Sequence, residues 1–171
     1  MATGDRISGH SSNGNGAIAI APAARAIRLM VVDDHPAVRL GLVRLLEEQP
    51  GFSIEAVCVD AEGAVAHASA HSVDVAVLDY QLPGRNGLWV CRQLKRTPEP
   101  PAVVIFSAFA DHYLAACAAV AEADAVLNKG ALGSELCDAV RSVSRGRRLL
   151  PRVPQPLADM LRRLIDGARS N

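Results

Sequence analysis

Short apolar runs alternate with segments of helical periodicity along most of this chain. Continuous apolar runs, without the polar alternation of a half-exposed strand, are typical of strands that are buried on both faces of a parallel sheet. Five runs have the length of strands. They occupy residues 27–32, the stretch around Ile54 and Val57, and residues 73–78, 103–106 and 125–127.

Helical periodicity fills the intervals between these runs. The first helix is predicted to begin at Pro36, a residue favoured at the first helical position, and to end before Pro50 and Gly51. Further helices are predicted at residues 61–71, 88–96 and 111–122, and a last one from the spacing of Leu132, Leu136, Val140 and Val143. Five strands alternating with five helices predict an α/β protein: a flavodoxin-like (βα)5 three-layer sandwich with a parallel five-stranded sheet in the order 2-1-3-4-5.

Polar side chains follow four of the predicted strands: Asp33 and Asp34, Asp79, Ser107 and Lys129. The carboxyl ends of parallel strands meet at one edge, where open α/β sheets bind ligands, and the first and third strands flank the switch point. Three carboxylates, a hydroxyl and an ammonium at that edge predict a site for magnesium and a phosphoryl group. A lone Asp at a strand end is more often a capping or turn residue, but the combination makes that interpretation the weaker one.

Composition sets broad bounds. The 171 residues are 50% hydrophobic and 21% charged, which suits one globular core. Eighteen basic and eighteen acidic side chains leave no net charge that would attract nucleic acid or a membrane surface. Residues 141–171 hold eight Arg and two Asp, a net charge of +6, which leaves ten basic and sixteen acidic side chains, −6, in residues 1–140. An acidic body is thus followed by a basic tail.

The four cysteines form no C-x-x-C pair and lie in apolar surroundings, so we expect buried free thiols, as in a reducing cytoplasm. They are Cys58, Cys91, Cys117 and Cys137. No uncharged apolar stretch reaches the roughly 18 residues of a membrane span, and no secretory segment is recognisable. The sequence therefore predicts a cytoplasmic protein without membrane association.

Three segments are predicted along the chain. Residues 1–25 are rich in Gly, Ser, Asn and Ala and are expected to form a disordered leader. Residues 27–148 form the domain. Residues 149–171 comprise a stiff, proline-rich linker and a short amphipathic helix with Leu157, Leu161, Leu164 and Ile165 on one face.

Four separated motifs occur in order: VVDDHP at 31–36, LDYQLPGRNG at 78–87, FSA at 106–108 and LNKG at 127–130. Together they resemble the receiver domain of two-component response regulators over residues 27–148. The Asp-Asp-His-Pro opening is similar to the subfamily whose members usually carry a LuxR-type helix-turn-helix after the receiver.

This resemblance implies a phosphoacceptor. Asp79 would form an aspartyl phosphate, with the phosphoryl group coming from a sensor histidine kinase or a phosphotransfer protein. Asp34 and Asp79 would bind Mg²⁺ directly, Asp33 through water, and Gln81 through its backbone carbonyl. An oxygen-only set of this kind suits Mg²⁺.

The resemblance also implies that Lys129 and Ser107 contact the phosphoryl group. Receivers usually carry Tyr or Phe as a rotating switch three residues before the lysine, whereas this chain has Val126. Phe109 and Tyr113 are then the alternative switch candidates, together with Ser107 itself.

The five histidines are predicted to be loop or surface residues and not metal ligands. His35 is expected to shape the loop, since no Cys or second His is spaced to make it a metal ligand. His10, His67, His71 and His112 are expected at the surface.

The leading functional hypothesis is a phosphoacceptor receiver that controls a downstream, transcriptional output and is not itself an enzyme. A phosphorylation-independent interaction module of the same fold is the alternative, suggested by Val126. A Mg²⁺-dependent phosphohydrolase ranks last, because Gln81 stands where such an enzyme would need a second acid.

Residues 149–171 determine what is expected of this chain in DNA binding and homodimerisation. Too few residues follow the predicted domain to build a helix-turn-helix with a recognition helix, so no specific DNA binding is expected of this chain alone. The apolar face of the last helix either mediates homodimerisation or folds back on the receiver.

Overall fold

The computed structural model describes residues 25–131 and 133–167, so the predicted leader, apart from Arg25, and Leu132 lie outside the described residues. Within those ranges it has five strands and six helices. In chain order they are β1 (Ile27–Val32), α1 (Pro36–Glu47), β2 (Phe52–Cys58), α2 (Ala61–Ala70), β3 (Val75–Asp79), α3 (Gly87–Leu94), β4 (Ala102–Ser107), α4 (His112–Val120), β5 (Ala125–Asn128), α5 (Gly133–Val143) and α6 (Gln155–Gly167).

The strands form one parallel sheet in the order β2-β1-β3-β4-β5. The predicted fold class and strand order are therefore confirmed. Register brings the strand ends together: Val32 is opposite Leu78, and Asp79 is opposite Phe106. Ser107, in turn, is opposite Asn128. Residues just beyond these positions consequently share one edge.

Alternate side chains of the strands enter two separate cores, one on each face of the sheet, which agrees with the predicted burial on both faces. Met30 and Val32 pack toward the side of α2, α3 and α4, whereas Leu29 and Val31 pack toward the side of α1 and α5. Every residue of β3 is buried. The central position of this strand explains why its sequence is uninterrupted by polar residues before Asp79.

Several helix starts follow from side-chain caps. Asp60, Asn86 and Asp111 accept hydrogen bonds from backbone amides in the first turns of α2, α3 and α4. Pro36 opens α1 as predicted. The start of α2 also matches its prediction, whereas the end of α2 and both bounds of α3 and α4 differ by one or two residues, because a helical pattern continues through the cap while the backbone does not. For example, α4 begins after its cap Asp111 and ends at Val120, not at Glu122.

The last helix, α6, folds back onto α4. Ala158 and Leu161 are buried in the core that contains α4, and Ile165 packs against it. Leu157 and Leu164 are exposed, so only part of the predicted apolar face, Leu161 and Ile165, packs on the receiver. The Arg148 guanidinium reinforces the junction by donating hydrogen bonds to the Ala119 and Ala123 carbonyls.

Asp74 ties the start of β3 to the start of β1. Its Oδ2 accepts from the Arg28 amide at 2.8 Å, and its Oδ1 accepts from the Arg28 and Arg25 guanidinium groups at 3.0 and 2.8 Å. Burial opposes the charged carboxylate, but the hydrogen bonds from Arg28 outweigh it and lower the pKa of Asp74. We therefore expect Asp74→Ala to reduce the free energy of unfolding by about 1–3 kcal/mol at neutral pH.

A folded-state pKa below the unfolded one makes this contribution complete above the ordinary value of 3.8 and removes it as the pH falls further. Urea titrations at pH 7 and below pH 4 should accordingly show a gap between wild type and Asp74→Ala that narrows in acid. Asp159→Ala, which removes an exposed ion pair with Arg162, is the control and should change stability little. A constant gap would contradict the assignment.

All four cysteines are free thiols, with Cys58 half-buried and the others buried. Burial raises the pKa of the Cys91 thiol to about 12, and its Sγ donates to the Ala121 carbonyl. We expect Cys91 to resist a disulfide reagent at pH 8 until the protein unfolds, because the thiolate is the reactive species. Timed labelling with peptide mapping measures this, and modification of Cys91 as fast as that of Cys58 would refute it. No helix among the described residues has the length and apolar character needed to cross a membrane.

Candidate functional site

The structure brings the five predicted polar residues to the carboxyl edge of the sheet. Asp33 and Asp34 follow β1, Asp79 and Ser107 end β3 and β4, and Lys129 follows β5. Asp33, Asp79 and Ser107 are the buried polar residues of the described chain. Their burial in an otherwise apolar sheet is costly unless charges or hydrogen bonds compensate it.

Lys129 compensates two of these charges. Its Nζ lies 2.7 Å from Asp33 Oδ2, with hydrogen-bond alignment, and 2.7 Å from Asp79 Oδ2. Partial burial lowers the pKa of Lys129, but hydrogen bonds and charges from the two carboxylates outweigh it, so the net pKa is raised. The lysine therefore stays charged and links the ends of β1, β3 and β5. The sequence predicted Lys129 in the site but not this bridge to Asp33.

The carboxylates outnumber their cation. Ligand atoms of Asp33, Asp34, His35 and Asp79 lie within 4.8 Å of one another. Asp34 Oδ1 and Asp79 Oδ2 are buried oxygens without an aligned hydrogen bond among the residues that the structure describes, and Asp79 Oδ2 is ion-paired with Lys129. Buried carboxylates that carry more negative charge than one lysine neutralises, with oxygens close to one another, fit a divalent cation. The residues present therefore fit the Mg²⁺ that the sequence predicted.

His35 belongs to this cluster, contrary to its predicted role in the loop alone. Its Nδ1 lies 2.9 Å from Asp34 Oδ1, 3.4 Å from Asp33 Oδ1 and 3.7 Å from Asp79 Oδ2. The sequence offers no second His or Cys at a ligand spacing, but the neighbours of His35 in the fold are carboxylates. The adjacent Asp-Asp pair was the signal that could have revealed it. His67 also differs from its predicted surface position, because it is half-buried.

The remaining predicted site residues surround the cluster. The Gln81 amide donates to Asp79 Oδ1 at 3.1 Å, which places the Gln81 backbone beside the carboxylate. Ser107 Oγ accepts from the Phe109 amide at 3.1 Å and so fixes the turn after β4. Phe109 and Tyr113 are exposed, and Val126 packs half-buried against the core. The predicted switch candidates thus lie at and after the end of β4, in the first turn of α4 and on β5.

The sheet order and the acidic cluster beside a lysine at the switch point define a receiver-type α/β domain. A family model described as the response regulator receiver domain matches residues 29–141. The chain belongs to this family.

Relatives and solved structures agree with the family match. The response regulator UvrY of Escherichia coli K12 is 32% identical over 124 residues, which cover 72% of this chain and 57% of UvrY. The DNA-binding transcriptional activator DevR/DosR of Mycobacterium tuberculosis is 37% identical over 125 residues, with the same coverages. The chain therefore spans just over half the length of these curated relatives.

Among solved structures, the receiver domain of the putative response regulator NarL from Mycobacterium tuberculosis has a TM-score of 0.69 and 31% identity, covering 72% of this chain and 99% of that one. A LuxR-family two-component response regulator from Aurantimonas has a TM-score of 0.69 and 29% identity, covering 85% of this chain and 99% of that one. The chain is thus a response regulator receiver domain, and the LuxR family that the motifs indicated is among the solved structures it resembles.

Proposed function

We propose that this chain is a phosphoacceptor receiver in which Asp79 accepts a phosphoryl group from a sensor histidine kinase or a phosphotransfer protein. The observation that carries the proposal is the state of Asp79: it is 3% exposed at the switch point, and its Oδ2 is ion-paired with Lys129 Nζ at 2.7 Å. A buried carboxylate beside a fixed cation suits a nucleophile whose product carries additional negative charge.

In the transfer, a bond forms between a carboxylate oxygen of Asp79 and phosphorus while the bond from phosphorus to the donor's imidazole nitrogen breaks. Asp79 is held for this by the Gln81 amide on Oδ1. Lys129 neutralises charge beside Oδ2, and Asp33 fixes the lysine through a charge-assisted hydrogen bond. Asp33, Asp34, Asp79 and the Gln81 carbonyl would hold Mg²⁺, which when bound neutralises charge on the phosphoryl oxygens.

Phosphotransfer tests the proposal directly. The full chain is incubated with acetyl phosphate, with Mg²⁺ or with EDTA, and intact mass is measured. We expect a single phosphoryl addition with Mg²⁺ and little without it. The same adduct should arise from a phosphorylated histidine kinase. Unchanged mass under both donors, from a protein that binds Mg²⁺, would contradict the phosphoacceptor function.

A second candidate, a receiver-fold interaction module that works without phosphorylation, is favoured by Val126, since a valine has no ring to move inward. Phosphorylation can shift a receiver only through contacts that differ between two states. In this chain Ser107 can change partners, because its Oγ now accepts from the Phe109 amide. The turn after β4 is then the element that would respond.

Amide chemical shifts with and without the phosphate mimic beryllofluoride separate the two candidates. For a phosphorylation-dependent receiver we expect large changes from Ser107 to Tyr113 and small changes around Val126, because the hydroxyl contact precedes the turn and the valine lacks a ring. Ser107→Ala should suppress the changes in the turn while leaving those at Asp79. A silent turn with large changes at Val126 would overturn this prediction, and no changes beyond the site itself would favour the second candidate.

The output of the longer regulators is a further part of the proposal. The relative DevR/DosR is a DNA-binding transcriptional activator. Control of transcription is accordingly the output that we propose for the system in which this receiver acts, in the cytoplasm. By itself the chain should show no sequence preference for DNA, since the described residues form no element for groove insertion beyond the receiver and α6.

A further inference from the structure

His35 places an imidazole nitrogen where the oxygen-only magnesium set has none. The ring reaches the cluster from the solvent side, with the side chain 60% exposed and Nδ1 between 2.9 and 3.7 Å from three carboxylate oxygens. The oxygens belong to Asp33, Asp34 and Asp79, so the nitrogen faces the same point as the candidate metal ligands.

The orientation of Nδ1 suits metal coordination better than it suits hydrogen-bond donation. A donor would aim at one oxygen, yet the nearest oxygen, Asp34 Oδ1 at 2.9 Å, has no aligned hydrogen bond among the described residues. Adjacent ligands of an octahedral ion with bonds of about 2.1 Å lie about 3 Å apart. The separations around Nδ1 are of that size.

Local backbone structure holds the ring in this position. The His35 amide donates to Asp33 Oδ1 at 2.8 Å, which closes a tight turn after β1. Pro36 restricts the preceding residue to extended backbone, and His35 has φ −80° and ψ 112° as the N-cap of α1. Its side chain makes no capping hydrogen bond to the helix. The imidazole is therefore directed to the cluster without serving the helix.

We propose that His35 is a metal ligand through Nδ1 and sets the metal preference of this site. Imidazole binds first-row transition ions such as Ni²⁺ well, while Mg²⁺ takes oxygen ligands. The site then gains affinity for Ni²⁺ from His35 and gains little for Mg²⁺. This inference rests on the proposed metal site of the phosphoacceptor receiver and adds a residue to it.

Calorimetric titration of the full chain with Ni²⁺ and with Mg²⁺ at one pH and ionic strength tests the ligand role. His67, in the last turn of α2, stacks on His71, which caps that helix, and the pair could bind Ni²⁺. The titrations therefore use a background carrying His10→Ala, His67→Ala and His71→Ala. In this background His35→Ala should weaken Ni²⁺ binding at least about tenfold and change Mg²⁺ binding little. His112→Ala, at the exposed start of α4, is the matched control and should change neither.

Each other result overturns the proposal. Unchanged Ni²⁺ affinity would show that His35 is no ligand, and equal losses for both ions would show that it only shapes the loop. Tighter Mg²⁺ binding by His35→Ala would show that the imidazole competes with the ion. If the unmodified chain bound no Mg²⁺ at all, the proposed receiver site would fail together with this inference, whereas normal Mg²⁺ binding without a His35 effect contradicts the ligand role alone.

A second measurement needs no background substitutions. With Mn²⁺ bound to the unmodified chain, electron spin-echo modulation should show a directly coordinated ¹⁴N nucleus. The signal should disappear in His35→Ala and persist in His112→Ala. Bound Mn²⁺ without nitrogen modulation in the unmodified chain would overturn the assignment.

Discussion

Asp79→Asn should abolish phosphorylation by acetyl phosphate while the protein remains as stable as the wild type. The amide keeps the shape of the side chain and can still accept from the Gln81 amide through Oδ1, but it is a poor nucleophile. The loss of one negative charge also relieves repulsion in a cluster of three carboxylates with one lysine. Intact mass after treatment with Mg²⁺ and acetyl phosphate should show no adduct, and urea unfolding should show no loss of stability.

Asp111→Asn is the matched control for this change. Asp111 caps α4 from an exposed position by accepting from the Leu114 amide at 2.7 Å, and Asn caps a helix about as well as Asp. The control should therefore label like the wild type. Undiminished labelling of Asp79→Asn would reject Asp79 as the acceptor, and equal loss in both variants would point to a general effect of the substitution.

Gly87→Ala should be severely destabilising and should also slow the labelling of Asp79. A Cβ at Gly87 would lie 2.3 Å from the Asp79 carbonyl oxygen and 3.1 Å from Tyr80 Cα, so backbone would have to move. The Gly87 amide donates to the Tyr80 carbonyl at 2.8 Å, which holds the two segments together at this distance. We expect a loss of about 3 kcal/mol, the upper end of ordinary overpacking costs, together with a displaced Asp79.

Gly41→Ala is the matched control and should stabilise the protein, although it adds the same methyl group. Gly41 is exposed in the middle of α1, and a Cβ there would meet no atom within 4 Å. Alanine should stabilise the helix by about 0.5–1 kcal/mol and leave labelling unchanged. Urea unfolding and timed intact mass measure both effects. Equal stabilities of the two variants would refute the contact at Gly87.

Local sequence features predicted the sheet and the placement of the site residues, because in a parallel fold the end of each strand fixes the position of the polar residue that follows it. A buried strand is a continuous apolar run, and a polar residue just after it must lie at the carboxyl edge. Asp79 and Lys129 are 50 residues apart, yet each needs only its own strand to reach that edge. The strand order supplies the contact between them.

The orientation of His35 and the buried face of α6 were beyond this reasoning. The direction of His35 depends on a turn closed by Asp33 and on carboxylates from two strands. In α6, Leu157 and Ala158 are neighbouring apolar residues, and hydrophobicity alone favours burial of the leucine. The structure buries Ala158 instead of Leu157, because the partner helix α4 carries several alanines and a small residue allows close approach.

Because α6 is docked on α4, it competes with any other protein for binding to the same surface of α4. The segment between α5 and α6 is short, and a tether of this kind gives a local concentration of about millimolar. Any partner that binds the part of α4 covered by Ala158 and Leu161 must displace α6, which is covalently linked to the receiver. Such a partner should bind a chain ending near Arg148 more tightly than this one, and the affinity difference would measure the free energy with which α6 holds its place.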